Sequence, residues 1–188
     1  MRRTAHWVEV MHENPRNHWR DRTGIHDRLL PAAHYRVSGA ANTPHVVFED
    51  VRRLSAIPLI SIVESACEAA RSLNLESLGL LGTRFVMQGE FYPRVFSKAG
   101  ITLIAPTLEE QAYIHDKYMT ELLKGLFLPE TREQLLRIVD RLIQEEKIEG
   151  LILAGTELPL ILRDVGERSV LFLDTTKIHV NAALRELI

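Results

Sequence analysis

From residue 35 onward the chain alternates short apolar runs with amphipathic stretches, the pattern that βα units make when their strands form a parallel sheet. Six runs read as strands: YRVSGA (35–40), PLISI (58–62), SLGLLG (77–82), ITLIAP (101–106), LILAGT (151–156) and VLFLDTT (170–176). Between them the apolar period lengthens to that of a helix. A first helix is predicted to start at Asn42-Thr43-Pro44, with Thr43 as its cap and Pro44 in the first turn. Others are predicted at about 64–73, at 87–100 with Gly100 as the stop, at 108–124, at 130–146 and after residue 176. In the stretch 130–146, Leu135, Ile138, Val139, Leu142 and Ile143 recur at three- and four-residue spacing, so one stripe is predicted to face a sheet.

This regularity fails before residue 35. Both tryptophans (Trp7, Trp19) and five of the eight histidines (His6, His12, His18, His26, His34) lie there without a helical or strand period. Three readings are open for residues 1–34: a His-rich metal tract, a poorly ordered extension, or a segment foreign to the remainder after a frame shift or truncation. The first is disfavoured because no two of the first four histidines stand at i and i+4, where one helix face would join them.

The remaining bounds are broad. A chain of 188 residues can bury roughly 70% of its unfolded surface, enough for one domain or two small ones. The formal net charge of −2 speaks against nucleic acid as a partner. No apolar run reaches the ~20 residues that span a bilayer, and the opening residues carry no secretory apolar stretch. Cys67 is the single cysteine, so neither an internal disulfide nor a cysteine metal cluster is available. A cytoplasmic protein is expected.

Polar groups gather where strands end. Asn42-Thr43 with His45, Gly82-Thr83-Arg84, Gly155-Thr156-Glu157 and Asp174-Thr175-Thr176 each bring hydroxyls and helix N-terminal N–H groups to the carboxyl end of a strand. In an open parallel sheet ligands bind beyond that edge, and unpaired donors there suit a small carboxylate. The competing explanation is that all four are helix caps, since Thr, Asn and Asp are favoured there.

Taken together, ANTPHVVFEDVRRLSAIPLISI, LGLLGTRFVM, LILAGTELPLIL and LFLDTTKIH, in this order across roughly residues 32–188, resemble the aspartate/glutamate racemase family. The resemblance implies α/β architecture with flavodoxin-like parallel sheets in two lobes that face each other across a cleft. Residues 75–188 then correspond to a complete second lobe, residues 35–74 to part of an incomplete first lobe, and residues 1–34 to nothing recognisable, with the C-terminal helix an element that can return to the first lobe. It also implies a cofactor-independent, metal-free isomerase acting on a small amino dicarboxylate such as aspartate or glutamate, often as a homodimer.

Two cysteines commonly remove and return the α-proton in that family, one on each face of the substrate; a thiolate suits this because it is polarizable and its pKa is easily lowered. The matching positions here are Ala41 and Gly155. Cys67 falls among Ala66, Ala69 and Ala70 inside a helix and reads as a core residue. Carried over by position, Asn42, Thr43, Thr83 and Thr156 are expected substrate contacts. Val86 stands where a hydroxyl residue is often found. Glu157 and His45 are the titratable side chains nearest the two vacated positions and are the candidate catalytic groups. Three functions remain open: a racemase-family isomerase using non-cysteine groups, a catalytically silent relative that binds a carboxylate or amino acid, and a truncated racemase-like chain.

Overall fold

The computed structural model describes residues 37–39, 41–163 and 169–186, all within one compact unit that spans Arg36–Ile188. The tryptophan- and histidine-bearing stretch before residue 35, with the readings made of it, lies outside the described residues.

Six strands are found among the described residues, each at a predicted run, with β5 starting one residue before its run: β1 (Val37–Gly39), β2 (Leu59–Ser61), β3 (Ser77–Gly82), β4 (Thr102–Ile104), β5 (Gly150–Ala154) and β6 (Leu171–Asp174). β1 and β2 pair in parallel, and β4-β3-β5-β6 form a second sheet in which every pairing is parallel. In chain order this second sheet runs 2-1-3-4, the flavodoxin-like arrangement, whose direction of winding reverses between β3 and β5.

The helices between them are α1 (Phe48–Leu54), α2 (Ile62–Ser72), α3 (Arg84–Met87), α4 (Phe91–Lys98), α5 (Leu108–Thr120), α6 (Pro129–Glu145), α7 (Leu158–Ile161) and α8 (Thr175–Arg185), with 3-10 turns at Thr43–Val47 and Leu122–Lys124. The helix predicted at 87–100 is α4 (Phe91–Lys98), which starts later than expected, while Met87 ends the separate short α3. Gly89 separates them, and a Cβ there would lie 2.5 Å from the Phe85 carbonyl oxygen, so the chain turns where only glycine fits.

Strand alternation divides the core into two layers, one on each face of the sheet. Leu81, Leu151 and Leu153 point to the side covered by Ile114 and Tyr118 of α5 and by Leu135, Ile138, Val139 and Leu142 of α6. The predicted α6 stripe is therefore buried, with Ile143 half-buried at its edge. Leu78, Leu80, Ile152, Ala154 and Leu173 point to the other side, against Ile62, Val63, Ala66, Cys67 and Ala70 of α2 and Tyr92 and Phe96 of α4. The buried face of α2 thus shares one core with the four-stranded sheet, and α8 packs on both α2 and β2. Cys67 is buried in this layer, and burial pushes its thiol pKa up.

Candidate functional site at the carboxyl edge of the sheet

The register fixes which residues meet. Gly82 pairs with Ala154 and Leu153 with Asp174, so Thr83, Gly155 and Thr175 leave their strands side by side, at the spacing of roughly 5 Å that separates neighbouring strands. This edge contains the reversal point between β3 and β5, the place where doubly wound sheets leave a crevice.

Asn42, at the entrance to the 3-10 turn after β1, is tied into the same edge from the first sheet. Its Nδ2 donates to Thr175 Oγ1 at 3.2 Å, its Oδ1 accepts from the Tyr92 hydroxyl at 2.5 Å, and Thr175 Oγ1 in turn donates to the Leu153 carbonyl at 2.9 Å. All four groups are buried, so the chain of bonds removes what would otherwise be costly unpaired dipoles. It clamps the start of the turn to β5 and β6. Burial drives the Tyr92 phenol pKa far up, so it stays a donor.

Thr43 and Thr83 then meet: their hydroxyl oxygens are 3.2 Å apart, both half-buried. Neither acts as a side-chain cap, and the expected capping by Thr43 is not found; Asn42 precedes the turn and makes no side-chain cap either. At the third junction Glu157 starts α7 without capping it, and Thr156 Oγ1 donates 2.6 Å to Glu157 Oε2. The Tyr118 hydroxyl donates to the same Oε2. Oε1 accepts no hydrogen bond from a described residue. Only the fourth junction is a cap, with Asp174 accepting from the N–H groups of Thr176 and Lys177. Capping therefore accounts for one of the four polar junctions, and three keep polar groups for other use.

His45 is buried, and both of its ring nitrogens are engaged. The Ile62 N–H donates to Nε2 at 3.2 Å, which leaves the proton on Nδ1, and Nδ1 donates to the Ala41 carbonyl at 2.8 Å. The ring also stacks on Phe48, with centroids 4.4 Å apart, while Arg52 lies over the other ring and forks onto the Glu64 carboxylate. Burial, the largest influence, lowers the His45 pKa despite the Ala41 bond, so the neutral clip is favoured. Ala41 is exposed and carries no titratable group. Val86 is fully buried under Gly82.

Two residues of α5 that the sequence patterns did not single out reach this edge. His115 Nδ1 accepts from the Arg84 N–H at 3.3 Å, and its ring meets Phe85 edge-on. Tyr118, one turn later, reaches Glu157. Their i, i+3 spacing puts both on one helix face, which is the signal that was there to find. Two shallow surface depressions of about 350 and 390 Å3, one beside Cys67 and Lys98 and one beside Pro93 and Thr102, include no residue of this cluster.

The model of the Asp/Glu/hydantoin racemase family matches residues 31–183. The chain belongs to that family. An aspartate racemase homologue from Pyrococcus horikoshii is 32% identical and superposes with a TM-score of 0.72, over 80% of this chain and 65% of its own. A Yersinia pestis protein assigned to the Asp/Glu racemases is 28% identical, with a TM-score of 0.75 over 81% of this chain and 66% of its own. The glutamate racemase of Thermus thermophilus shares the fold at 22% identity, with a TM-score of 0.62 over 81% of this chain and 55% of its own. The chain thus spans between 55% and 66% of the length of these solved racemase-family proteins.

Proposed function

We propose that the carboxyl edge of the sheet binds a small amino acid, aspartate or glutamate in the first instance, and exchanges its α-proton from one side through Glu157 without a cofactor. The observation that carries this reading is the set of polar groups left over from capping at the reversal point: Thr43 and Thr83 hydroxyls facing each other, and, on the adjacent strand end, a carboxylate with one oxygen that accepts no hydrogen bond from a described residue. The hydroxyls there suit a substrate carboxylate, and Glu157 Oε1 suits the proton. Thr156 completes the contacts from the same turn. Asn42 supports this site as a clamp, its amide already spent on Thr175 and Tyr92, and His45 as the clip that holds residues 41–43 against α2. A cytoplasmic setting accords with the single buried cysteine.

A group on one face only predicts a specific outcome. Proton loss to Glu157 and return along the same path exchanges the α-hydrogen with solvent faster than it inverts the centre. The test is incubation with L-Asp or L-Glu in deuterated water, with loss of the α-proton signal followed by NMR and chirality by optical rotation. Exchange outpacing inversion, abolished by Glu157→Gln, is expected. Equal rates would show a second proton carrier on the opposite face. A second reading, a catalytically silent binder, is favoured by Ala41 and by the fully engaged His45 ring, and it predicts saturable binding with no exchange.

A further inference from the structure

Gly155 is buried, and the space beside its α-carbon is already filled. A Cβ built on it falls 2.6 Å from the Tyr118 hydroxyl oxygen, 2.7 Å from Cε2 and 3.0 Å from Cζ. Non-bonded heavy atoms sit at about 3.5–4.0 Å, so no side chain at 155, a thiol included, coexists with this ring position. The ring has little freedom to withdraw. Tyr118 is 5% exposed and belongs to the same core as Leu81, Met87, Ile114, Leu153 and Leu158. Its hydroxyl is the group that, with Thr156, donates to Glu157 Oε2. Ring position and hydrogen bond are separate observations that converge on one place in the fold, the turn after β5.

We propose that Tyr118 is a positioning residue that replaces the side chain of position 155, its ring taking that volume and its hydroxyl fixing Glu157 as the proton-transfer group at the end of β5. This rests on the reading of the strand edge as a proton-exchange site. In the step, the substrate Cα–H proton passes to Glu157 Oε1 and the electron pair of that bond enters the substrate carboxylate as an enediolate. Tyr118 and Thr156 keep their own protons and hold Oε2. The proton, or a solvent deuteron exchanged for it, then returns from Oε1 to Cα and the enediolate collapses. Burial, followed by the neighbouring carboxylate, holds the Tyr118 phenol well above its ordinary pKa, so it remains a donor through the neutral range.

Two thermal-unfolding cycles and two kinetic comparisons test this. Gly155→Ala should lower Tm by on the order of 4–8 °C through overpacking, and should cost little further when added to Tyr118→Ala, because the obstructing ring is gone. Tyr118→Phe and Glu157→Gln should likewise be non-additive in Tm. The conservative Tyr118→Phe keeps the ring and should fold even where Tyr118→Ala does not. In deuterium exchange with L-Asp, Tyr118→Phe should reduce kcat roughly tenfold with KM within twofold, which loss of packing alone would not produce. The pair Tyr118→Ala with Gly155→Cys should exchange faster than Tyr118→Ala alone, since a thiol then fits. Additive Tm shifts in the first cycle would overturn the replacement whatever the activity. Non-additive Tm shifts with no exchange by the wild-type protein would overturn the proton-transfer part and the proposed function, while leaving the volume exchange established.

Discussion

Thr83 and Thr107 stand in similar places, each directly or shortly after a strand of the same sheet and at the start of a helix, yet their hydroxyls do different things. Thr107 Oγ1 accepts from the Glu110 N–H at 3.3 Å, and the Thr107 N–H donates to Glu110 Oε2 at 2.8 Å, closing a capping box. Arg141 of α6 then forks onto the same carboxylate. Although burial opposes it, the bonds from Arg141 and Thr107 hold the Glu110 carboxyl below its usual range. Thr83 has Val86 at the equivalent position, with nothing to return a bond, and its hydroxyl turns to Thr43 across from the other sheet. The difference lies in one residue three positions on. Thr107 secures α5 by local bonds, whereas Thr83, beside the reversal of the sheet, leaves its helix uncapped and meets Thr43 instead.

The comparison breaks most visibly at Glu157. Glu157→Gln keeps size and shape and should cut α-proton exchange by about 10²–10⁴-fold, while Glu110→Gln should leave exchange within twofold; the paired NMR rates decide it. Next in size is the dependence on pH, because the histidines with lowered pKa stand behind the uncapped junctions, His45 behind Asn42-Thr43 and His115 behind Arg84, and His179 lies buried in α8. Burial is the main cause in all three. A histidine held neutral binds fewer protons folded than unfolded, so stability is full above the unfolded value near 6.5 and falls as pH drops below it. Each buried histidine contributes a slope of up to about 1.4 kcal/mol per pH unit in that window. Tm measured from pH 8 to 5 should decline below 6.5, and His45→Gln should flatten the decline; a flat Tm for the wild type would show that these rings charge freely in the fold.

A smaller contrast separates the two threonines themselves. Thr83→Val should weaken aspartate binding about tenfold, ~1.4 kcal/mol, with Tm changed by no more than ~2 °C. Thr107→Ala should do the reverse: lose ~1 kcal/mol of stability, or about 2–4 °C in Tm, with binding unchanged by titration calorimetry. Should Thr83→Val lower Tm as much as Thr107→Ala, its hydroxyl is structural and the comparison fails.

Much of this architecture was legible because it is written in local periods. The runs 77–82 and 151–156 are apolar except at Ser77 and Thr156, since both faces of a central parallel strand are buried, and β3 and β5 appear there. The α6 stripe follows from 3.6-residue geometry alone. The polar junctions were visible too, but their division into caps and free groups was not, because it depends on side-chain direction and on partners such as Arg141. The break between α3 and α4 was missed for a similar reason: Gly89 is read as tolerable within a helix until the closeness of the Phe85 carbonyl is known.

The sequence by itself determined the βα succession, the family, and the lack of a thiol at positions 41 and 155, since periodicity and residue identity are properties of neighbours along the chain. Only the tertiary structure decided what stands in the space beside Gly155. Tyr118 lies 39 residues from Glu157, and Asn42 lies 133 residues from Thr175. No local pattern encodes such meetings, because they are fixed by how a helix seats its side chains against a sheet whose strand order differs from the order of the chain.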